Sequence, residues 1–328
     1  MTSRRETLIA LGAGAFTAPL SSLAQQRGKI WRIGLLLGGP RPPDGLPPVA
    51  FRQALAELGY ADGKNVMYEG RWAEGKLANL PELAAELVQA RVDVIVAISW
   101  PAAQAAKNAT SSIPIVIAFA GDAVGTGLVA SLAHPGANLT GISDMAVELS
   151  AKRMQLLKET VPKASRIAIL WNQTDLGMTG RYREIDRAAR ALGIAVQAVG
   201  VQEPSDFDAA FAAMNREHPD AIFLVADVLT TINRKRVIEF ANANRIPAMF
   251  EFSVHVEDGG LMSYGPSFDD AFRRCASYVD RILKGAKPAD MPMEQPTRIY
   301  LFLNQKTAKV ISIKYPNSIL LRADKVIE

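Results

Sequence analysis

The sequence predicts an α/β protein of two similar lobes, each a doubly wound parallel sheet, joined by a hinge. Three features predict it: compact apolar runs of strand length, amphipathic stretches between them, and an order of elements that occurs twice. Near-continuous hydrophobicity without alternation is what strands need when helices cover both faces of a parallel sheet. Such runs alternating with helical patterns are the mark of a doubly wound architecture.

The chain opens with a segment that does not belong to this pattern. Arg4 and Arg5 precede an uncharged stretch from Thr7 to Leu23, rich in Ala, Leu and Gly, which ends at Ser22-Leu23-Ala24. Charged start, short apolar middle and small-x-small exit describe an export signal cleaved after Ala24. The paired arginines resemble a twin-arginine signal, with Thr7 where Phe is more usual. The apolar run is marginal for spanning a bilayer and contains Pro19, so residues 1–24 are read as a removed signal and the mature protein as periplasmic.

The apolar runs follow at Ile33–Leu37, Val94–Ile98, Ile115–Phe119, Ile167–Trp171, Ala221–Val225 and Leu301–Leu303. Between them lie helical series such as Phe51, Ala54, Leu55, Leu58 and Val147, Ala151, Met154, Leu157, Val161. The single cysteine, Cys275, stands in another such series with Phe268, Phe272, Val279 and Ile282, which marks it as a small core residue.

The repeat sets the domain organisation. The first half runs Trp31-Arg-Ile-Gly-Leu-Leu-Leu, helix, Leu58-Gly59-Tyr60, strand, helix, Val92-Asp-Val-Ile-Val-Ala-Ile, then Ile113-Pro114-Ile115. The second runs Arg166-Ile-Ala-Ile-Leu-Trp, helix, Leu192-Gly193-Ile194, strand, helix, Asp220-Ala-Ile-Phe-Leu-Val, then Ile246-Pro247-Ala248. The first lobe is expected over residues 28–143 and the second over 144–265. The sequence leaves open whether the helical stretch 266–292 returns to the first lobe and 293–328 to the second. A return would give three crossings between the lobes.

Composition narrows the function classes. The 328 residues are 49% hydrophobic and 21% charged with a net charge of +4, acids and bases interleaved, so no basic surface for nucleic acid is expected. A lone cysteine excludes an internal disulfide. His134, His218 and His255 are scattered in what read as solvated loops, with no partner at metal-ligand spacing. No Gly-x-Ser-x-Gly elbow occurs, and Gly121-Asp-Ala-Val-Gly125-Thr-Gly127 lacks the Lys-Ser/Thr of a phosphate loop. Glu257-Asp258-Gly259-Gly260 reads as a solvated turn. No catalytic residue, metal or cofactor is expected.

In open parallel sheets ligands collect beyond the carboxyl ends of the strands, so two facing lobes place a cleft between matched loops. The candidates to contact a ligand are Gly39, Ser99, Trp100, Gly121, Asp122, Asp144, Asn172, Asp227, Phe250, Glu251 and Tyr264. Pro101 suits the first turn of a helix that Ser99 would cap, and free N–H groups there suit a carboxylate. Trp100 offers a flat wall. Asp122, Asp144 and Asp227 would accept hydrogen bonds from an ammonium or hydroxyls, with helix or turn capping as the alternative role for each.

At these residues the chain resembles the ABC-transporter substrate-binding protein family related to tryptophan/tyrosine-type uptake systems. The matching stretches are Leu58-Gly-Tyr-Ala-Asp-Gly-Lys-Asn-Val66, Val94-Ile-Val-Ala-Ile-Ser-Trp-Pro-Ala-Ala-Gln-Ala-Ala106, Ile113-Pro-Ile-Val-Ile117, Gly136-Ala-Asn-Leu-Thr-Gly-Ile142, Ile282-Leu-Lys-Gly-Ala-Lys-Pro-Ala-Asp290 and Leu320-Leu-Arg-Ala-Asp-Lys-Val-Ile-Glu328. The resemblance implies a type I periplasmic-binding-protein fold that captures a small solute, often an amino acid, for a membrane permease and its ATPase; the protein is expected to be a monomer. The chain departs from the family at Gly121-Asp122-Ala123, where Thr-Asp-Pro is common, and at Trp100, where a small residue is common. Its tail reads Ile311-Ser-Ile-Lys-Tyr-Pro316 in place of Gly-Leu-Thr-Ile-Pro. The alternatives are a periplasmic ligand-sensing subunit of a signalling system and an exported α/β enzyme.

Overall fold

The computed structural model describes residues 29–328; the export signal expected over 1–24 lies outside the described residues. The chain opens with β1 (Trp31–Leu37), α1 (Val49–Glu57), β2 (Val66–Trp72), α2 (Leu80–Gln89), β3 (Val94–Ile98), α3 (Trp100–Ala109), β4 (Ile115–Ala118) and β5 (Leu139–Ile142). These strands form one parallel sheet in the order β2-β1-β3-β4-β5. β4 is buried along its whole length, and β3 at every residue but Ile98, because helices cover both faces.

The second sheet follows α4 (Ala146–Thr160). It is built from β6 (Arg166–Asn172), α5 (Leu176–Ala191), β7 (Ala195–Val201), α6 (Asp206–Glu217), β8 (Ala221–Leu224), α7 (Val228–Ile232), α8 (Arg234–Ala243), β9 (Ala248–Phe250), α9 (Ser253–Glu257) and β10 (Met262–Gly265). The chain then forms α10 (Phe268–Leu283), β11 (Tyr300–Asn304), α11 (Gln305–Val310), α12 (Asn317–Leu320) and β12 (Lys325–Ile327). The strand order is β12-β11-β10-β9-β8-β6-β7. The apolar run at Leu301–Leu303 does not join as a parallel strand: β11 is antiparallel to β10. It enters the sheet from the opposite end, after the chain has left for the first lobe and come back.

The repeated punctuation has a physical meaning. Gly59 and Gly193 hold φ of +94° and +70°, the left-handed geometry that ends a helix. The residue after each then donates its N–H back into the helix, Tyr60 to Leu55 and Ile194 to Ala189, both at 2.9 Å. The carbonyls of Pro114 and Pro247 accept from Ile95 and Ile222, again both at 2.9 Å, tying the incoming strand to its neighbour in each sheet.

Helix α10 packs its stripe of Ala271, Phe272, Cys275, Val279 and Ile282 against the first sheet and α1. Phe272, Val279 and Ile282 each contribute roughly 1.5–3 kcal/mol by leaving water. Burial also pushes the Cys275 thiol well above its ordinary pKa, so it stays protonated. With α10 on the first sheet, three segments join the lobes: 143–145, 265–267 and 295–299. The first and third start side by side, since Ser143 N–H donates to the Glu294 carbonyl at 2.9 Å and Glu294 N–H to the carbonyl of Gly141 in β5 at 3.0 Å. Among the described residues, no helix is long and apolar enough to cross a membrane.

Candidate functional site

A cavity of about 320 Å³ lies between the lobes, at the carboxyl ends of the strands. The first lobe lines it with Leu37, Gly38, Gly39 and Pro40 after β1, Ile98, Ser99 and Trp100 after β3, and Phe119 after β4. The second lobe supplies Asp175, Met178 and Arg181 from the start of α5, Ala226, Asp227 and Val228 after β8, and Thr231, Ile232 and Arg234. Asp144, Phe252 and Phe268 complete the wall near the crossing segments.

The backbone is strained where it meets this space. Ser99 has φ +84° and Phe119 φ +62°, and Met145 on the first crossing has φ +51°. Bulky residues rarely hold such angles unless their surroundings enforce them. At Ser99 the consequence is direct. The expected cap on α3 does not form, because the twisted backbone carries the hydroxyl away from the helix N–H groups. The buried Ser99 Oγ has no hydrogen-bond partner among the described residues. Pro101 does occupy the first turn of α3.

Aromatic groups form two walls. Trp100 Nε1 donates to Thr126 Oγ1 at 2.8 Å, which holds the indole in place on the first lobe. Phe119, also on the first lobe, meets Phe252 and Phe268 edge-on at 5.7 and 4.7 Å, and its contact with Phe252 joins the lobes.

Beneath the cleft lies a buried ion network. Arg181 donates to Asp144 at 2.6 Å, to Glu251 at 3.0 Å and to the Ala226 carbonyl at 3.0 Å. Arg153, fully buried, donates to the Tyr264 and Ala146 carbonyls at 2.6 and 3.0 Å and stands 3.7 Å from Glu251. Burial pulls the Arg153 guanidinium below its ordinary pKa despite Glu251. For Arg181 burial acts the same way, but Asp144 and Glu251 together outweigh it and hold the group above its ordinary value. Two cations and two carboxylates balance, which a dry network requires.

Asp227 caps α7. Its Oδ1 accepts from Thr230 N–H at 2.8 Å and from the Thr230 hydroxyl at 2.7 Å, and its Oδ2 accepts from Asn172 Nδ2 at 2.6 Å. Asp175 caps α5 through Gly177 N–H at 2.8 Å. Burial first, and the Asp227 charge second, push the Asp175 carboxyl up to about 7.

Of the residues proposed from sequence, Gly39, Ser99, Trp100, Asp144 and Asp227 line the cavity. Asn172 lies behind it and holds Asp227; Glu251 lies in the ion network; Tyr264 contributes its carbonyl to Arg153. Phe250 is in the core beside α8, stacked on His255 at 5.1 Å. Asp122 closes a turn by accepting from Gly125 N–H at 2.8 Å, while Gly121 stands against Arg181. His255 is not the solvated loop residue expected: α9 buries it completely among Phe250, Phe252 and Val256, and its pKa falls to about 4. Asp175, Met178, Arg181, Phe119 and Phe268 were not among the expected site residues, while Phe252 lies in the loop Phe250-Glu251-Phe252 that was expected to face the cleft. Only Asp175 had a signal, since an Asp before a helix is a cap signature.

Known proteins bear on this geometry. The family described as ABC transporter substrate binding protein matches residues 49–327. A tyrosine-binding protein of Clostridioides difficile is 28% identical over 265 residues, spanning 80% of this chain and 76% of the relative. The structure of an ABC domain in complex with L-Trp from Streptococcus pneumonia superposes with a TM-score of 0.82 at 28% identity, covering 90% of this chain and 99% of that one. A ligand-free, open substrate-binding protein from Clostridium difficile superposes at only 0.64, with 26% identity and coverage of 91% and 99%. The two lobes form a type I periplasmic-binding-protein fold.

Proposed function

The chain belongs to the ABC transporter substrate-binding protein family, and we propose that it is the periplasmic member of an uptake system that captures one small solute by closing its lobes and hands it unchanged to the permease. The observation that carries this is the cavity of about 320 Å³ walled from both sides. A ligand that touches both lobes favours the closed form by its differential affinity, and several kcal/mol suffices to shift the population almost completely. The conformation here is nearer to the tryptophan complex than to the open, ligand-free relative, in keeping with a closed form.

The lining suits a solute with a flat apolar body and a polar end. The body lies between Trp100 and the Phe119–Phe252–Phe268 cluster. The orphaned Ser99 hydroxyl at the start of α3 suits a carboxylate, where free N–H groups and the helix dipole favour an anion. An aromatic amino acid meets both demands, as do the solutes in the names of the relatives. The protein acts as a monomer, exported by its 1–24 segment, and meets the permease and its ATPase at the membrane.

A thermal-shift screen of the mature protein tests this, because a solute bound only by the folded state raises its melting point by an amount set by concentration over Kd. L-tryptophan or L-tyrosine at millimolar concentration is expected to raise it by several degrees. A screen of amino acids, aromatic acids, nucleosides and sugars with no shift would end the reading.

A further inference from the structure

Asp175 and Asp227 are both nearly buried, 4% and 8% exposed, and both line the cavity. Neither has a cation within ion-pair distance among the described residues, because the nearby arginines are committed elsewhere. Arg181 is engaged by Asp144 and Glu251, and Arg234 by Asp258 at 2.7 Å. The oxygens of Asp227 are taken by Thr230 and Asn172. Asp175 differs: its carboxyl is met only by the backbone N–H groups of Gly177, at 2.8 Å, and Met178, and no side-chain donor reaches either oxygen among the described residues. A buried carboxyl on the wall of a cavity, short of donors, is therefore aimed at whatever fills that cavity.

We propose that Asp175, backed by Asp227, is the subsite for the amine end of the solute, and that Asp175 gives up a proton as the solute enters. This rests on the solute-capture reading above. The charged groups around Asp175 are Asp227 at the start of α7, Arg181 one helical turn and a half along α5, and, behind Arg181, Asp144 and Glu251. Arg234 with Asp258 borders the same cavity, and Asp122 faces the Gly180 turn of α5. The first-lobe residues lining the cavity carry no titratable side chain.

Two buried carboxylates whose nearest cation, Arg181, is already engaged by Asp144 and Glu251 do not both ionise readily. In the empty cleft Asp175 meets that constraint by holding a proton, in line with a pKa raised to about 7 by burial and by Asp227. An ammonium in the cavity supplies the missing positive charge. The carboxyl then ionises, its O–H bond breaks, and the proton passes to solvent while the carboxylate keeps the electron pair. The ammonium stays protonated throughout.

Calorimetry in buffers of different ionisation enthalpy measures this proton directly. With L-tryptophan, L-tyrosine and tryptamine as probes, release of close to one proton per solute is expected at pH 6, falling to roughly a tenth at pH 8. The amine-free acid indolepropionate is expected to release none and to bind at least tenfold more weakly than L-tryptophan. Asp175→Asn keeps a good helix cap and is expected to abolish the proton release and weaken L-tryptophan tenfold or more, while leaving indolepropionate unchanged. Proton-neutral binding of the amines at pH 6, equal affinity for indolepropionate, undiminished affinity in Asp175→Asn, or no binding of any amine probe overturns the subsite. Solute capture survives each of those results and fails only if the wider solute screen is empty.

Discussion

Trp100 of the first lobe and Gly177 of the second meet so closely that a β-carbon on Gly177 would stand 3.2 Å from Trp100 Cβ and 3.3 Å from its Cγ. Gly177 is the second residue of α5, with ordinary helical backbone, so the glycine is needed for space and not for φ. Gly38 makes a matching contact, where a β-carbon would lie 3.0 Å from Val228 across the cleft. The lobes close on glycine.

Gly177→Ala is therefore expected to separate affinity from stability. The new methyl, which would also stand 3.1 Å from Asp175 Oδ1, props the lobes apart by a few tenths of an ångström, presses on the Asp175 carboxyl and weakens solute binding three- to tenfold. Replacing a helical glycine removes up to about 1 kcal/mol of backbone entropy cost, so the melting point of the empty protein should hold or rise. Calorimetry and thermal melts of one preparation check both; unchanged affinity would mean that this contact does not limit closure.

Trp100→Ala removes a cleft wall and the hydrogen bond to Thr126. It is expected to weaken binding at least tenfold, about 1.4 kcal/mol, with the circular dichroism of the fold retained. Asp227→Ala is a harsher change, because this carboxylate also caps α7 and holds the Asn172 amide. Loss of the cap alone costs about 1 kcal/mol, and an orphaned buried amide adds about as much again. Urea titration should show that loss, whereas Trp100→Ala should move the midpoint little.

Two buried groups set opposite pH dependences. Asp175 has its folded pKa raised to about 7 from an unfolded value of about 3.9, so the folded state binds more protons in between. The stability it contributes is present below pH 4 and lost as pH rises through 7, about 4 kcal/mol at full extent. His255, buried neutral with a pKa lowered to about 4 from about 6.5, acts in reverse. Its contribution is present above pH 6.5 and lost as pH falls through 4, about 3 kcal/mol. The two offset each other in the wild type. Asp175→Asn should unmask the histidine, so that its stability relative to wild type increases between pH 4 and pH 8; a constant difference in urea titrations would contradict the assignment.

Arg153→Met should be among the most destabilising single changes. It leaves Glu251 with Arg181 alone and strips the Tyr264 and Ala146 carbonyls of a donor. Removing one partner of a buried pair costs about 3–5 kcal/mol. Adding Glu251→Gln restores the balance of Arg181 with Asp144, so the double variant should lose less than the sum of the single losses in urea unfolding.

How much of this could be read from residues alone follows from what each residue's neighbours decide. Val94–Ile98 and Ile115–Ala118 were legible because strands covered on both faces must be apolar throughout. The Leu-Gly and Ile-Pro pairs were legible as punctuation because they satisfy backbone groups locally. Loops at the carboxyl ends of strands pointed to the cleft, yet within one loop Phe250 turns into the core and Phe252 into the cavity. That choice depends on how the chain enters α9. His255 read as a solvated group, and nothing local in the sequence marks Arg153 or Arg181 as buried; only the tertiary arrangement of Asp144 and Glu251 makes buried arginines tolerable.

Small-angle X-ray scattering of the mature protein, with and without a solute at concentrations calorimetry shows to be saturating, tests lobe closure most directly. The bound protein should give the scattering curve of the structure described here, and the free protein a more extended one. Identical curves in the two states would contradict capture by closure.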